Sequence, residues 1–207
     1  MTALEIDQTL DESTAGLDPI RLFQRWFEHA RAAGIPLAET MTLATVSADC
    51  KPSARMVLLK QVDEDGFVFF TNYQSRKANQ LDHNPAAALV FYWQKLDYQV
   101  RVEGVVARIS AQESDEYFAS RPRESQLGAH ASPQSETVGA RQDLETRYAE
   151  LEEQYLDKSV PRPPHWGGYC LKPHLIEFWK SRVGRMHDRL LYERQTDGSW
   201  KRSRLAP

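Results

Sequence analysis

Short apolar runs separated by turn residues occupy the first half of the chain, and this pattern limits the fold to one built mainly of antiparallel strands. Strand patterns cover residues 41–47, 53–62, 67–71, 86–93 and 98–110. Asp65-Gly66 lies between two of these runs, and Asp-Gly between apolar runs is a strong hairpin signal. Consecutive antiparallel strands of this kind predict a barrel. Helical patterns before, between and after them make the expected fold mainly β with flanking helices, of the α+β class.

Three local sequence signals predict where helices begin. Asp18 followed by Pro19 is typical of an N-cap and a first helical residue. Ser75 is in position to cap a helix that begins at Arg76, and Ser110 with Glu113 forms a capping box. Residues 1–17 are polar and acidic, and we expect a flexible tail there and a single domain over residues 18–207.

Composition excludes several classes of protein. The formal net charge of -3 argues against a general nucleic-acid binder. No apolar run approaches membrane-spanning length, and the first residues lack the basic and apolar regions of a secretion signal. The two cysteines are isolated, and the six histidines show no metal-ligand spacing. We therefore expect a cytoplasmic protein with no bound metal, no membrane association and no nucleic-acid partner.

The first candidate anion site lies at the start of the helix capped by Ser75. Arg76 and Lys77 occupy its first turn, where cations oppose the helix dipole, so the choice is unfavourable for stability alone. It becomes reasonable if an anion binds the free backbone N–H groups there. The alternative is a solvated helix face, and the sequence leaves both open.

A second candidate anion site follows from Tyr117, Arg121 and Ser125. The first two are four residues apart on one predicted helix face, and Ser125 follows the helix-terminating Pro122. A phenol, a guanidinium and a hydroxyl that converge would suit a phosphate monoester. The alternative is that Tyr117 packs in the core while the other two solvate a helix end.

Two strand residues have positions that the pattern alone leaves open. Arg55 and Lys60 face opposite sides by strict alternation, so a single ligand contacts both only at a strand end or across a bulge. In the later strand, the apolar parity changes at Gly104, which predicts a bulge there. Gln99 falls on the face with Arg101 and is as consistent with a surface residue as with a ligand contact.

The C-terminal stretch Ile176-Glu177-Phe178-Trp179-Lys180-Ser181-Arg182-Val183-Gly184-Arg185-Met186-His187-Asp188-Arg189 combines an aromatic strand with a basic cluster. If residues 185–189 form a strand, Arg185, His187 and Arg189 share one face. This stretch resembles the C-terminal motif of the pyridoxamine/pyridoxine 5'-phosphate oxidase family, which has Glu-Phe-Trp, a spacer, then Arg-apolar-His-Asp-Arg. The resemblance extends from about Asp18 to Pro207. One departure is Lys180-Ser181-Arg182, where the family usually has Gln and glycines.

The resemblance implies an FMN-binding split β-barrel of antiparallel, Greek-key type that works as a homodimer with each flavin between subunits. The implied FMN contacts are Arg55, Met56, Val57, Leu58, Leu59, Lys60, Phe70, Thr71, Arg76, Lys77, Gln99, Gln134, Ser135, Trp179 and Arg189. The implied substrate contacts are Lys60, Tyr117, Arg121 and Ser125 at the phosphate, with Arg185, Met186 and His187 over the ring. Arg185 and His187 are the implied catalytic residues.

The reaction that the resemblance implies is oxidation of pyridoxine 5'-phosphate or pyridoxamine 5'-phosphate to pyridoxal 5'-phosphate. A hydride passes from the substrate C4' to flavin N5, and O2 then takes the electrons to give hydrogen peroxide; the amine also releases ammonia. The alternatives are a related split-barrel flavin oxidase of the phenazine-biosynthesis type and a non-catalytic protein that binds flavin or pyridoxal phosphate. The first should lack the phosphate contacts at Tyr117, Arg121 and Ser125, and the second should show no oxygen-dependent turnover.

Overall fold

The computed structural model describes residues 10–207 and shows one antiparallel sheet with helices around it. The strands are β1 (Thr40–Val46), β2 (Pro52–Leu58), β3 (Gln61–Asp63), β4 (Gly66–Asn72), β5 (Ala86–Trp93), β6 (Tyr98–Arg108), β7 (Trp166–Lys180), β8 (Asp188–Arg194) and β9 (Trp200–Arg204). The helices are α1 (Glu12–Ala15), α2 (Pro19–Ala32), α3 (Arg76–His83), α4 (Ala111–Ser120), α5 (Arg123–Ala131) and α6 (Arg141–Gln154). None of these helices has the length and apolar character needed to cross a lipid bilayer.

The long strand β7 organises the sheet because it pairs with three others. The strand order is β2-β1-β5-β6-β7-β4-β3, and β8 and β9 continue from β7. Residues 166–171 of β7 pair with β4, and residues 175–180 pair with β8, while β6 runs along its other edge. One strand therefore belongs to two diverging parts of the sheet, which curls into a half-barrel. The predicted antiparallel split barrel is confirmed.

Helix α2 supplies much of the core on the inner face of the sheet. Asp18 caps it by accepting from the backbone N–H groups of residues 20 and 21, as the sequence predicts. Phe23 packs edge-on against Phe91 with ring centroids 4.8 Å apart, and Trp26 stacks on Tyr98 at 3.9 Å. Large buried aromatic pairs of this kind anchor the helix to β5 and β6.

The bulge predicted at Gly104 is confirmed. The register between β6 and β7 shifts between Glu103 and Gly104. A Cβ atom at Gly104 would lie 2.3 Å from the backbone carbonyl oxygen of Lys172, so only glycine fits this close approach.

Two predicted strands have different bounds in the structure. The strand expected over residues 53–62 is interrupted after Leu58, because Leu59 turns into the core and Lys60 donates its backbone N–H to Val68 on β4. The conditional strand over residues 185–189 is wrong in its first half. Residues 183–185 form a 3-10 turn, with positive φ at Gly184 and Arg185, and β8 begins at Asp188.

The N-terminal residues that the structure describes contact the last strand. Leu10 and Ala15 are buried, and α1 forms with Asp11 as its N-cap. The reason is tertiary: Arg202 donates to the carbonyl oxygen of Gly16, and Arg204 forms an ion pair with Glu12. Described residues of this segment thus contact β9, while the flexibility predicted for residues 1–17 stays a prediction and residues 1–9 lie outside the described part of the chain.

Candidate active site

A cavity of about 640 Å³ lies between the ends of β2 and β4 and the helices α4 and α5. Eleven of the predicted site residues line it: Met56, Val57, Leu58, Lys60, Phe70, Thr71, Lys77, Tyr117, Arg121, Ser125 and Gln134. Strand breaks and helix ends position these side chains, because β2 ends at Leu58 and α4 ends just before Arg121. Both predicted anion sites therefore contribute residues to one cavity.

Lys77 forms the most buried cationic part of the cavity wall. It is only 8% exposed, and its Nζ donates to Thr71 Oγ1 at 2.9 Å, Gln134 Oε1 at 2.8 Å and Ser75 Oγ at 3.2 Å. All three partners are neutral, so no carboxylate in the described part of the chain balances the charge. Burial, helped by the nearby positive charge of Arg55, lowers the pKa of Lys77 to about 8.

Arg55 is held in place by neutral oxygen atoms from strands β1 and β2 and helix α3. Its Nη1 donates to Thr45 Oγ1 at 2.6 Å and its Nη2 to Ser53 Oγ at 2.7 Å and Gln80 Oε1 at 3.2 Å. Burial and the charge of Arg76 lower the pKa of Arg55, which remains a cation at any physiological pH. Three cations therefore lie near one another without an acidic partner among the described residues, which favours binding of an anion.

The other end of the cavity is an aromatic wall with a guanidinium on it. Phe70 stacks on Tyr117 with centroids 3.9 Å apart and on Trp166 at 5.3 Å. The guanidinium of Arg121 lies 4.5 Å from the centroid of the Trp166 ring. Arg121 Nη1 is buried and has no hydrogen-bond partner among the described residues. An unpaired buried donor is costly, so this atom fits an oxygen-rich ligand.

Four predicted cofactor contacts on neighbouring segments do not have side chains in this cavity. Leu59 is buried in the core at 4% exposure, because the chain turns inward there between β2 and β3. Arg76 and Ser135 line a neighbouring surface cleft beside Gln80, and Arg55 points into the strand and helix contacts described above. The first turn of α3 separates this cleft from the cavity, since Lys77 lines the cavity and Arg76 lines the cleft.

The remaining predicted residues form a second group on β6, β7 and β8. Gln99 pairs across strands with Trp179, and Trp179 with Arg189. The imidazole of His187 lies 4.6 Å from the Trp179 ring, centroid to centroid. Arg189 is fixed by Glu177, whose buried carboxylate accepts from its Nε at 2.7 Å. This bond, formed in a partly exposed position, raises the pKa of Arg189.

This second group does not reach the cavity within one chain. Trp166 lines the cavity, but Trp179 lies 13 residues further along the same strand β7, about 40 Å away at about 3.3 Å per residue. Arg185 and Met186 lie in the exposed loop before β8, with Met186 70% exposed. The single chain thus divides the predicted site into a phosphate-binding part and a ring-facing part.

Some residues at the site had no signal in the sequence. Trp166 contacts Arg121 although it is 45 positions away, and Gln80 orients Arg55 from the next helix. Both contacts arise from pairing between distant segments, so local patterns carry no information about them. Among the described residues, no cluster of three or more His, Cys, Asp or Glu side chains could hold a metal ion.

Comparisons with known proteins agree with this fold. Residues 27–155 match the model of the family described as "Pyridoxamine 5'-phosphate oxidase", and residues 166–207 match "Pyridoxine 5'-phosphate oxidase C-terminal dimerisation region". A pyridoxine/pyridoxamine 5'-phosphate oxidase of Microcystis aeruginosa is 55% identical, over 99% of this chain and 97% of that protein. The protein of the same name from Burkholderia lata is also 55% identical, over 96% of this chain and 94% of its own length.

Among solved structures, PhzG from Burkholderia lata in complex with tetrahydrophenazine-1-carboxylic acid superposes with a TM-score of 0.91. Its sequence is 31% identical, over 97% of this chain and 98% of that one. The fold and the cavity thus define a split-barrel protein with a cationic cavity between sheet and helices. The chain belongs to the pyridoxamine 5'-phosphate oxidase family, a family of oxidoreductases.

Proposed function

We propose that this protein binds FMN and oxidises pyridoxine 5'-phosphate and pyridoxamine 5'-phosphate to pyridoxal 5'-phosphate, with O2 as electron acceptor. The observation that carries the proposal is one cavity with two cationic ends, at Lys77 and at Arg121. Neither end has a carboxylate partner among the described residues. Two phosphorylated small molecules, side by side, would satisfy both.

The residues around Lys77 fit the FMN phosphate. The ammonium is already desolvated and hydrogen-bonded by neutral oxygen atoms, so an arriving phosphate gains a charge-assisted contact with a preorganised donor. Ser75 caps α3, whose first-turn backbone N–H groups add further donors. Arg55 and Arg76 add positive charge there; burial first, and then the charge of the neighbouring arginine, lower the pKa values of Arg55 and Lys77.

The residues around Arg121 fit the phosphate of the substrate. Its buried Nη1 has no partner within residues 10–207, and Lys60, Tyr117 and Ser125 line the same cavity. The aromatic rings stacked against the guanidinium of Arg121 fix the orientation of its plane. Two of its N–H groups can then donate together to the oxygens of one phosphate.

Bound FMN supplies a hydride acceptor and passes the electrons to O2. The chain's own residues bind and orient the reactants. Arg121 and its neighbours anchor the phosphate, and the aromatic wall keeps water from that end of the cavity. Arg185 and His187 would face the substrate ring and stabilise the polar groups near its reacting carbon.

A homodimer would bring these last residues to the cavity. Residues 166–207, which match a dimerisation region, include Trp179, His187 and Arg189. Tyr92, 57% exposed, pairs across strands with Gln99 at the edge of the Gln99–Trp179–Arg189 row, and Met56 at the cavity is 61% exposed. We propose that a second copy of the chain covers this face and supplies the ring-facing residues to each cavity.

The phenazine-type reaction is the second candidate because PhzG shares the fold at a TM-score of 0.91. Burkholderia lata has one relative for each candidate reaction. The protein named pyridoxine/pyridoxamine 5'-phosphate oxidase is 55% identical to this chain, whereas PhzG is 31% identical to it. The Tyr117, Arg121 and Ser125 set is also retained. Both observations favour the phosphorylated substrate.

The test is spectroscopic. The purified protein should show a flavin spectrum, release FMN on denaturation, and bleach on anaerobic addition of pyridoxine 5'-phosphate. Release of FAD, or bleaching with a tetrahydrophenazine carboxylate but not with the B6 phosphates, would contradict the proposal.

Arg121→Ala tests the assignment of the two phosphate positions. Loss of a charge-assisted hydrogen bond costs about 1.5–3 kcal/mol, on the order of 10- to 150-fold in binding. We expect KM for pyridoxine 5'-phosphate to rise by that factor while FMN content is unchanged. Arg141→Ala, at a side chain 88% exposed, is the matched control. A variant that loses FMN but keeps its KM would mean that the two positions are reversed.

A further inference from the structure

The loop between β7 and β8 has little packing to hold it. It carries Arg185 and His187, and its neighbour Val183 is 98% exposed. Gly184 and Arg185 both have positive φ, of 69° and 60°. An L residue in that region is strained, so other contacts must maintain the conformation.

Arg182 contacts both residues that end this loop. Its backbone N–H donates to His187 Nδ1 at 3.1 Å, and its Nε lies 3.1 Å from Asp188 Oδ2. The first contact makes Nδ1 an acceptor, which places the proton of the neutral imidazole on Nε2. The second contact requires a side-chain cation at position 182.

Asp188 connects the loop to both ends of the described chain. Its Oδ1 accepts from Arg204 Nη1 at 3.1 Å, and its Oδ2 accepts from the backbone N–H of Leu10 at 3.4 Å. Arg204 also pairs with Glu12, at 2.6 Å between Nη2 and Oε2. The Asp188 side chain is 17% exposed, so these contacts are partly shielded from water. Leu10, in the segment before α2, and Arg204, on the last strand, therefore both bind the Asp188 carboxylate that Arg182 also binds.

We propose that Arg182 is a positioning residue of the active site, acting through Asp188 and His187. By closing the loop over residues 182–188, it fixes the ring of His187 and the tautomer it presents. The Glu12–Arg204 pair secures the far side of Asp188. This inference rests on the proposed function for its link to turnover, but the conformational part of it is independent of any reaction.

The kinetic test uses Arg182→Ala, which removes the guanidinium but keeps the backbone N–H, with Arg182→Lys as the conservative variant. Misplacing a group near the reacting atoms costs on the order of 10- to 100-fold in rate. We expect kcat for pyridoxine 5'-phosphate to fall by about that factor in the alanine variant, with KM, FMN content and Tm close to those of Arg141→Ala. The lysine variant should recover part of the loss. Unchanged kcat, or a loss of kcat that follows a loss of FMN or of Tm, would overturn the proposal.

The structural test is the ring ¹⁵N chemical shifts of His187, measured by NMR at alkaline pH. The wild-type protein should show one tautomer with the proton on Nε2, and Arg182→Ala a mixture of both. Identical shifts in the two proteins would refute the positioning role even if kcat differs. If the wild-type protein shows no turnover with B6 phosphates, the proposed function fails, and the ¹⁵N shifts alone decide this inference.

Discussion

Lys77 makes a quantitative prediction about pH. Its ammonium is buried among neutral oxygen atoms, and its pKa falls from 10.5 to about 8, chiefly through burial. Between these two values the unfolded chain binds more protons at this residue than the folded chain does. The free energy of unfolding of the flavin-free protein should therefore rise as pH increases through this window. The full shift, 10.5 − 8, corresponds to about 3 kcal/mol at about 1.4 kcal/mol per pH unit.

The assay is urea unfolding of the flavin-free wild-type protein and Lys77→Met from pH 7.5 to 10. Other groups that titrate in this range are common to both proteins, so their contribution cancels in the difference. The wild-type protein should gain about 2 kcal/mol relative to the variant over this range, because the unfolded lysine has not finished titrating at pH 10. Parallel curves for the two proteins would refute the reasoning.

The affinity for FMN should change with pH in the opposite direction to the free energy of unfolding. A phosphate beside Lys77 favours the charged ammonium, so binding near and above pH 8 takes up a proton. The affinity of the wild-type protein for FMN should fall above pH 8, by at most about tenfold per pH unit. Lys77→Met should bind FMN more weakly at pH 7 and lack this dependence. A wild-type affinity that is constant from pH 7 to 10 would contradict the placement of the phosphate.

Three further predictions concern stability and assembly. Gly104→Ala should destabilise the fold by about 1–3 kcal/mol or more in urea unfolding, because the new Cβ meets a backbone carbonyl on β7. Gly128→Ala is the control and should not destabilise the fold, because the space around Gly128 is open. Glu177→Leu leaves two arginines without their buried carboxylate and should cost about 3–5 kcal/mol; an unchanged urea midpoint would argue against it. Tyr92→Glu should convert the proposed dimer to monomer by light scattering and lower the FMN content, while Leu156→Glu, at a similarly exposed residue in the turn after α6, should leave a dimer.

Local chemistry in the sequence predicted much of the fold. The N-caps at Asp18 and Ser75, the capping box at Ser110 and the bulge at Gly104 all appear where the sequence places them. Caps, turns and strand parity depend on residues within a few positions of one another, so they can be inferred without knowing the rest of the fold. The resemblance of the C-terminal motif identified the family, which the comparisons confirm.

Only the tertiary structure decided which charged side chains are neighbours. Strand order and register place Trp166 under Arg121, Gln80 against Arg55, and Glu12 within reach of Arg204. The same information shows that Arg185 is in a turn rather than on a strand, and that residues 10–17 pack against the last strands. These contacts join segments far apart in sequence, and their partners are set by how the sheet curls, which no local pattern encodes.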